Sequence, residues 1–200
     1  MKVIGLTGGL GMGKSTAAAA FRRAGLPVFD ADRVVDRLQA RHGRAVPAIA
    51  ALVPAALRDG HIDRAVLRAA VIADPARLRR LEGILHPMVR AEQRRFLRRA
   101  RARGCRCAVL DVPLLLEGDG WRRCDLVVVV SAPRAIQLGR VRRRRGMSDA
   151  EAAALAARQM PDAEKRRRAD IVIRTGLSRW HSLRQIRRLL SRLRRLEGKP

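Results

Sequence analysis

Residues Lys2–Thr16 read KVIGLTGGLGMGKST, and this stretch decides the fold. Val3, Ile4 and Leu6 make a short apolar run of the kind a buried strand shows, and Thr16 to Phe21 is alanine-rich and reads as a helix. Between them, Gly8-Gly9-Leu10-Gly11-Met12-Gly13-Lys14-Ser15 satisfies G-x-x-x-x-G-K-[ST]. Strand, glycine loop and helix, in that order, are the context a phosphate-binding loop requires. Glycines let successive backbone N–H groups turn into one concavity, and phosphate oxygens approach without meeting a Cβ. The helix that follows, from Thr16 onward, presents unpaired N–H groups and a partial positive charge to the same anion. In this setting Lys14 reaches the β- and γ-phosphates as a point charge, and the Ser15 hydroxyl is placed to ligate Mg²⁺. A glycine-rich turn that only links strand to helix does not account for the Lys-Ser ending. The stretch predicts a nucleoside triphosphate site.

Composition bounds the rest. A chain of 200 residues suits one compact α/β domain with room for a small helical insertion. Aromatics are scarce, with three Phe, two Trp and no Tyr, so the core is expected to be built from Ala, Leu, Val and Ile. Lysine occurs only at Lys2, Lys14, Lys165 and Lys199, and nearly all other basic residues are arginine. The net charge of +26 attracts polyanions, including a substrate carrying several phosphates, and favours nonspecific nucleic-acid binding in low salt. Cys105, Cys107 and Cys124 are too few and wrongly spaced for a disulfide framework or a zinc site. The start of the chain reads directly into a strand rather than a signal peptide, and no apolar run approaches a membrane span. The expectation is a cytoplasmic protein with no membrane partner.

Further along, Leu26-Pro27-Val28-Phe29 reads as a second strand running into Asp30-Ala31-Asp32, then a helix from Arg33 to about Ala40. Strand ends in parallel α/β sheets are where ligands sit, so the two carboxylates suit a catalytic or metal role. Capping the next helix is the other use of an Asp there. Residues 36 to 104 read as short helices without a strand, punctuated by Gly43, Pro47, Pro54, Gly60, Pro75 and Pro87. His86-Pro87 predicts a helix ending near Leu85 and another starting at Pro87, with His86 packing, capping or catalysing at the kink. Cys107–Asp111 is a third strand whose closing acid suits Mg²⁺, held directly or through water. Leu126–Ser131 (LVVVVS) reads as a central parallel strand, and Asp170–Ile173 as the last one. Arg134 to Arg168 reads as helical, and in it Arg140 and Arg144 share one face and could converge on a triphosphate. A solvated basic surface is the alternative for that arginine cluster. Ser178–Leu196 aligns Trp180, Leu183, Ile186, Leu190 and Leu193 on one side, a pattern shared by a sheet-packed helix and a basic membrane- or partner-binding helix.

Taken together, the ordered motifs resemble the dephospho-coenzyme A kinase family over nearly the whole chain. They are LTGGLGMGKS at 6–15, DAD at 30–32, G-x-I-D-R at 60–64, LEGILHPMVR at 81–90, DVPLLLE at 111–117, QLGRVRRRRGMS at 137–148 and QMPDAEKRRRADIVI at 159–173. The resemblance implies a single P-loop NTPase domain with a parallel five-stranded sheet of nucleoside-monophosphate-kinase type. Its core spans about 1–35 and 105–200, with a helical substrate-binding insertion at 36–104 and a lid at 138–160. It further implies Mg·ATP-dependent phosphorylation of the ribose 3′-hydroxyl of dephospho-coenzyme A. Gly8, Gly9, Gly11, Met12, Gly13, Lys14, Ser15 and Thr16 would then hold ATP, joined by Arg140 and Arg144 of the lid. Lys14, Asp32 and Arg140 would be catalytic, with Asp32 orienting and deprotonating the hydroxyl, and Ser15 and Asp111 would hold Mg²⁺. Asp32, Arg64, His86 and Arg90 would contact the acceptor. The expected assembly is a monomer or a weak homo-oligomer without a specific nucleic-acid partner.

Three positions depart from the family pattern. Met12 stands where a small residue is common, and Arg145 where Asp is common. Arg174-Thr175-Gly176 replaces an Asn-containing turn, so an adenine contact made there by an Asn side chain would be lost, or supplied by Thr175 and backbone groups. Two other functions compete: a kinase for a nucleoside or sugar acid on the same loop, and a basic nucleic-acid-binding module using ATP as a switch. HPxVR and PLLxE favour the first reading over the former. The scarcity of aromatics for base stacking argues against the latter.

Overall fold

The computed structural model describes residues 1–145, 157 and 159–196, and for 144, 145 and 194–196 the backbone alone. Most of the expected lid, and the Arg144 and Arg145 side chains, therefore lie outside the described residues. The elements run β1 Lys2–Thr7, α1 Lys14–Arg23, β2 Val28–Asp30, α2 Ala31–Gln39, α3 Val46–Leu52, β3 Leu57–Arg58 and β4 His61–Ile62. Then follow α4 Arg64–Ile72, α5 Pro75–Ala102, β5 Cys107–Asp111, β6 Leu126–Ser131, α6 Arg134–Arg145, α7 Asp162–Arg167, β7 Ile171–Arg174 and α8 Arg179–Leu196. The chain divides into two compact units, one of residues 1–29 with 100–200 and one of residues 30–99.

The first unit is built on a five-stranded parallel sheet in the order β2-β5-β1-β6-β7. β1 pairs in parallel with β5 and with β6, and β6 with β7. Parallel neighbours need long crossovers, and helices supply them here. Such a sheet is covered on both faces, which is why LVVVVS is apolar throughout rather than alternating. Successive side chains of β6 make this concrete. Val128 and Val130 join a core with Ile4, Leu6, Phe21, Val109 and Ile173, whereas Val127 and Val129 pack with Leu115 and Leu116. The central position belongs to β1, with β6 beside it, and LVVVVS reads as central only because burial on both faces gives any interior strand the same signature. Ile186, Leu189 and Leu193 of α8 are buried in the first of these cores, and Leu183 and Leu190 pack against it. The apolar stripe of α8 is therefore a sheet-packing face. Trp180 is the exception, since it is 64% exposed and stands outside the stripe.

Two readings of the second unit need correction. The stretch expected to lack strands holds a small antiparallel hairpin, Leu57 opposite Ile62 and Arg58 opposite His61. Its two-residue turn is Asp59-Gly60, both left-handed (φ 45° and 77°), the geometry that favours Asp-Gly in tight hairpins. The break expected at His86-Pro87 is also absent, and α5 runs through Pro87. A proline inside a helix crowds the carbonyl four residues back and leaves it without its N–H partner. Here that carbonyl belongs to Gly83, which is exposed and has open space where a Cβ would lie. It can tilt to water, so the helix continues.

Candidate nucleotide-binding site

The loop after β1 takes the path its glycines permit. Gly11 and Gly13 have φ of 75° and 92°, a left-handed region costly for other residues. A Cβ on Gly11 would also lie 2.8 Å from the Gln137 carbonyl oxygen and from Val141. Gly13 caps α1 without a side-chain hydrogen bond, and the first turn of α1 carries no acidic residue. The helix start therefore keeps its partial positive charge and its backbone donors for an anion.

Lys14 extends to the Oδ1 of Asp111 at 2.6 Å. Register explains the encounter, because Asp111 closes β5 opposite Leu6, one residue before the end of β1. The carboxylate is almost fully buried, 4% exposed, and the lysine is its charge partner. Ser15, in the first turn of α1, is exposed. A hydroxyl and a carboxylate are hard oxygen donors, and Mg²⁺ binds through one or two such groups while keeping water and substrate phosphates for the rest. The donor set fits that ion.

Met12 is buried, and its sulfur accepts the Ala132 N–H at 3.0 Å, so the bulky residue points away from the loop's concavity. Thr175 does not stand open to a base. Its hydroxyl donates to the Met12 carbonyl at 2.6 Å and accepts from Arg140 Nη1 at 3.1 Å. Arg140 also donates to the Thr175 carbonyl at 2.6 Å and to the Gly11 carbonyl at 3.4 Å. Its guanidinium thus grips the loop's main chain. Beside the loop lies a cavity of about 1020 Å³, bordered by Gly9, Met12, Pro133, Arg134, Leu177 and His181 among others. That is ample for a nucleotide.

Two further residues that the motif reading left without a role touch the loop. Gln137 donates to the Leu10 carbonyl at 2.9 Å, and Gln159 accepts the Leu10 N–H at 3.0 Å. Their only signal in the sequence was membership of the QLGR and QMP patterns. Glu117, at the end of PLLLE, pairs with the buried Lys165 at 2.7 Å, tying the segment after β5 to α7. Cys124 is packed where a side chain on Gly5 would strike its sulfur, and burial pushes its thiol up to about 11, so it is no nucleophile.

In the second unit, Asp30 ends β2 and caps α2 by accepting the Arg33 N–H at 3.1 Å. Of the two uses open for these acids in the sequence, capping falls to Asp30, and Asp32 lies in the first turn of α2. Arg64 pairs with Asp36 at 2.7 Å, one helical turn beyond Asp32, which holds the guanidinium beside the face of α2 that carries Asp32. His86 and Arg90 are exposed one turn apart on α5.

A five-stranded parallel sheet with a glycine loop, Lys14 and a strand-end acid defines a P-loop kinase of small molecules. Comparison with known proteins narrows the class. A family model described as dephospho-CoA kinase matches residues 2–178. The chain is 54% identical over 198 residues to the dephospho-CoA kinase of Gluconobacter oxydans, covering 97% of this chain and 98% of that one. With its counterpart from Paramagnetospirillum magneticum it shares 55% over 166 residues, 83% of this chain and 78% of the other. A crystal structure from Thermus thermophilus matches at a TM-score of 0.84 and 36% identity, covering 96% of this chain and 97% of that one. The dephospho-CoA kinase from Campylobacter jejuni shares the fold, with a TM-score of 0.74 at 20% identity and 96% of each chain covered. The chain belongs to the dephospho-CoA kinase family.

Proposed function

We infer that this chain transfers the γ-phosphoryl group of ATP to the ribose 3′-hydroxyl of dephospho-coenzyme A, giving coenzyme A and ADP, the last step of coenzyme A biosynthesis. The observation that carries the reading is the Lys14–Asp111 pair at the glycine loop, in a chain whose family match spans both units. Phosphoryl transfer asks mainly for positioning and for charge opposite the transferring group. Backbone donors from Gly11 to Thr16 hold the phosphates, and Lys14 leaves Asp111 to meet the β- and γ-oxygens. Ser15 and Asp111 would hold Mg²⁺, which when bound neutralises charge on those oxygens. The adenosine end is assigned to the cavity beside Met12 and Leu177. Asp32 orients the attacking hydroxyl and accepts its proton, and Arg64, His86 and Arg90 bind the anionic acceptor. Arg140 contributes positive charge while bracing the loop, and Arg144 is assigned to ATP with it.

Among the described residues no helix is long and apolar enough to cross a membrane, and all three cysteines are free. We take the site of action to be the cytoplasm and the working form to be a monomer or weak homo-oligomer. The test is to incubate the protein with Mg·ATP and dephospho-coenzyme A and weigh the products. A gain of one phosphoryl group, placed at the 3′ position by fragmentation, with matching ADP, is expected. ADP without a phosphorylated acceptor would overturn the acceptor assignment.

A further inference from the structure

A phosphate loop works only if its amide N–H groups point inward, and something must hold them there. No peptide among the described residues is cis. In a planar trans peptide the C=O of one residue and the N–H of the next point in opposite directions. Whatever pulls a carbonyl to one side therefore aims the following N–H to the other. In this loop three consecutive carbonyls are pulled by side chains: Leu10 by Gln137, Gly11 by Arg140 and Met12 by Thr175. The N–H groups of Gly11, Met12 and Gly13 are turned away from those side chains. Met12 N–H closes on the Gly9 carbonyl at 3.1 Å inside the loop. Gln159 fixes the preceding peptide from its other end, by accepting the Leu10 N–H.

We propose that Gln137 and Gln159 are positioning residues for the nucleotide, a pair that clamps both sides of Leu10 and so sets the direction of the loop's amide donors. Nothing in G-x-x-x-x-G-K-[ST] specifies them, yet each makes a contact that only its own chemistry allows. A carbonyl accepts only, so Leu10 C=O must face the amide nitrogen of Gln137. An N–H donates only, so Leu10 N–H must face the amide oxygen of Gln159. Gln137 is 9% exposed, so removing its amide leaves a shielded carbonyl with little water to replace it. The proposal rests on the reading that this loop holds ATP.

Opposite polarity gives a test that a merely structural role would not pass. Calorimetric titration with Mg·ATP is combined with steady-state kinetics and a thermal melt for four variants of the full chain. Gln137→Leu and Gln159→Leu should each weaken ATP binding roughly three- to ten-fold, the size of one neutral hydrogen bond, with the KM for dephospho-coenzyme A unchanged. Gln159→Glu keeps an acceptor and should bind ATP more tightly than Gln137→Glu, which adds the same charge. Gln137→Glu loses its donor, sets a carboxylate against a carbonyl, and should bind at least as weakly as Gln137→Leu. Should the leucine variants not fold, the glutamate pair carries the test alone. Equal ATP affinity in the two glutamate variants, or parental affinity in both leucine variants, would overturn the clamp. A parent that binds ATP without phosphorylating dephospho-coenzyme A would overturn the acceptor reading instead, and the clamp would still be judged by the ATP affinities.

Discussion

The two units present their candidate ligand groups in opposite ways. In the first, side chains serve the backbone: Gln137, Gln159, Arg140 and Thr175 all bond to main-chain atoms of the loop and fix its path. In the second, the backbone serves side chains, and α2, α4 and α5 display Asp32, Arg64, His86 and Arg90 from helical scaffolds. A backbone site is largely pre-organised and depends on glycines and on what holds them. A side-chain site is assembled from long rotamers, such as Arg64 at 62% exposure, and the entropy of fixing them counts against ligand binding. Donor binding and acceptor binding should therefore respond to different mutations.

Lys14→Ala should break that contrast hardest. It removes the charge opposite the phosphates and takes the Lys14 ammonium away from the buried Asp111, so kcat/KM should fall about 10³-fold with both ATP affinity and kcat reduced. Steady-state kinetics with ATP varied would show this, and a loss confined to the acceptor KM would contradict it. Asp32→Asn should lower kcat by about 10²-fold or more, as expected for a group that both orients a hydroxyl and takes its proton, while ATP affinity is kept. Unchanged turnover would remove Asp32 from the mechanism.

The sheet side of the comparison is sharpened by α8. Ile186→Ala should cost about 2–5 kcal/mol of stability because it opens a cavity in the main core. Trp180→Ala, on the same apparent stripe, should stay within about 0.5 kcal/mol. Equal losses in urea melts would mean that Trp180 is covered in solution. The smallest effect concerns α4, where Asp63 accepts the Ala65 and Val66 N–H groups. The Val66 bond is the largest influence holding its carboxyl below the usual aspartate range, with Ala65 and Arg58 assisting. A depressed folded value means the stabilisation is present above the unfolded pKa and is lost as pH falls through the folded one. Asp63→Asn should therefore differ from the parent at neutral pH and converge with it in acid, as thermal melts across that range would show. A difference that grew in acid would contradict the assignment.

The same contrast explains what could be read without a structure. Glycine, lysine and serine at fixed spacing announce a backbone-lined anion site, because few other arrangements need them together. Asp111 was legible because an acid closing an apolar strand has few uses. Asp32 at a strand end and His86 at a proline drew notice locally, each with a capping or packing alternative, whereas Arg64 and Arg90 have no such local signature and only the ordered family pattern singled them out. The β3–β4 hairpin was missed because two-residue strands are too short for alternation, leaving Asp59-Gly60 as the sole signal. Pro87 misled because the rule against proline in helices depends on the residue four positions earlier, and that residue is Gly83. Gln137 and Gln159 were illegible as a pair, since tertiary structure alone brings them both to Leu10.

The most direct test of the division between donor and acceptor units is a paired measurement on Asp32→Asn and Lys14→Ala. Each is titrated with Mg·ATP by calorimetry, and turnover with dephospho-coenzyme A is recorded on the same preparations. We expect Asp32→Asn to bind ATP like the parent while losing turnover, and Lys14→Ala to lose both. ATP affinity lost in both variants, or turnover kept in Asp32→Asn, would contradict the division.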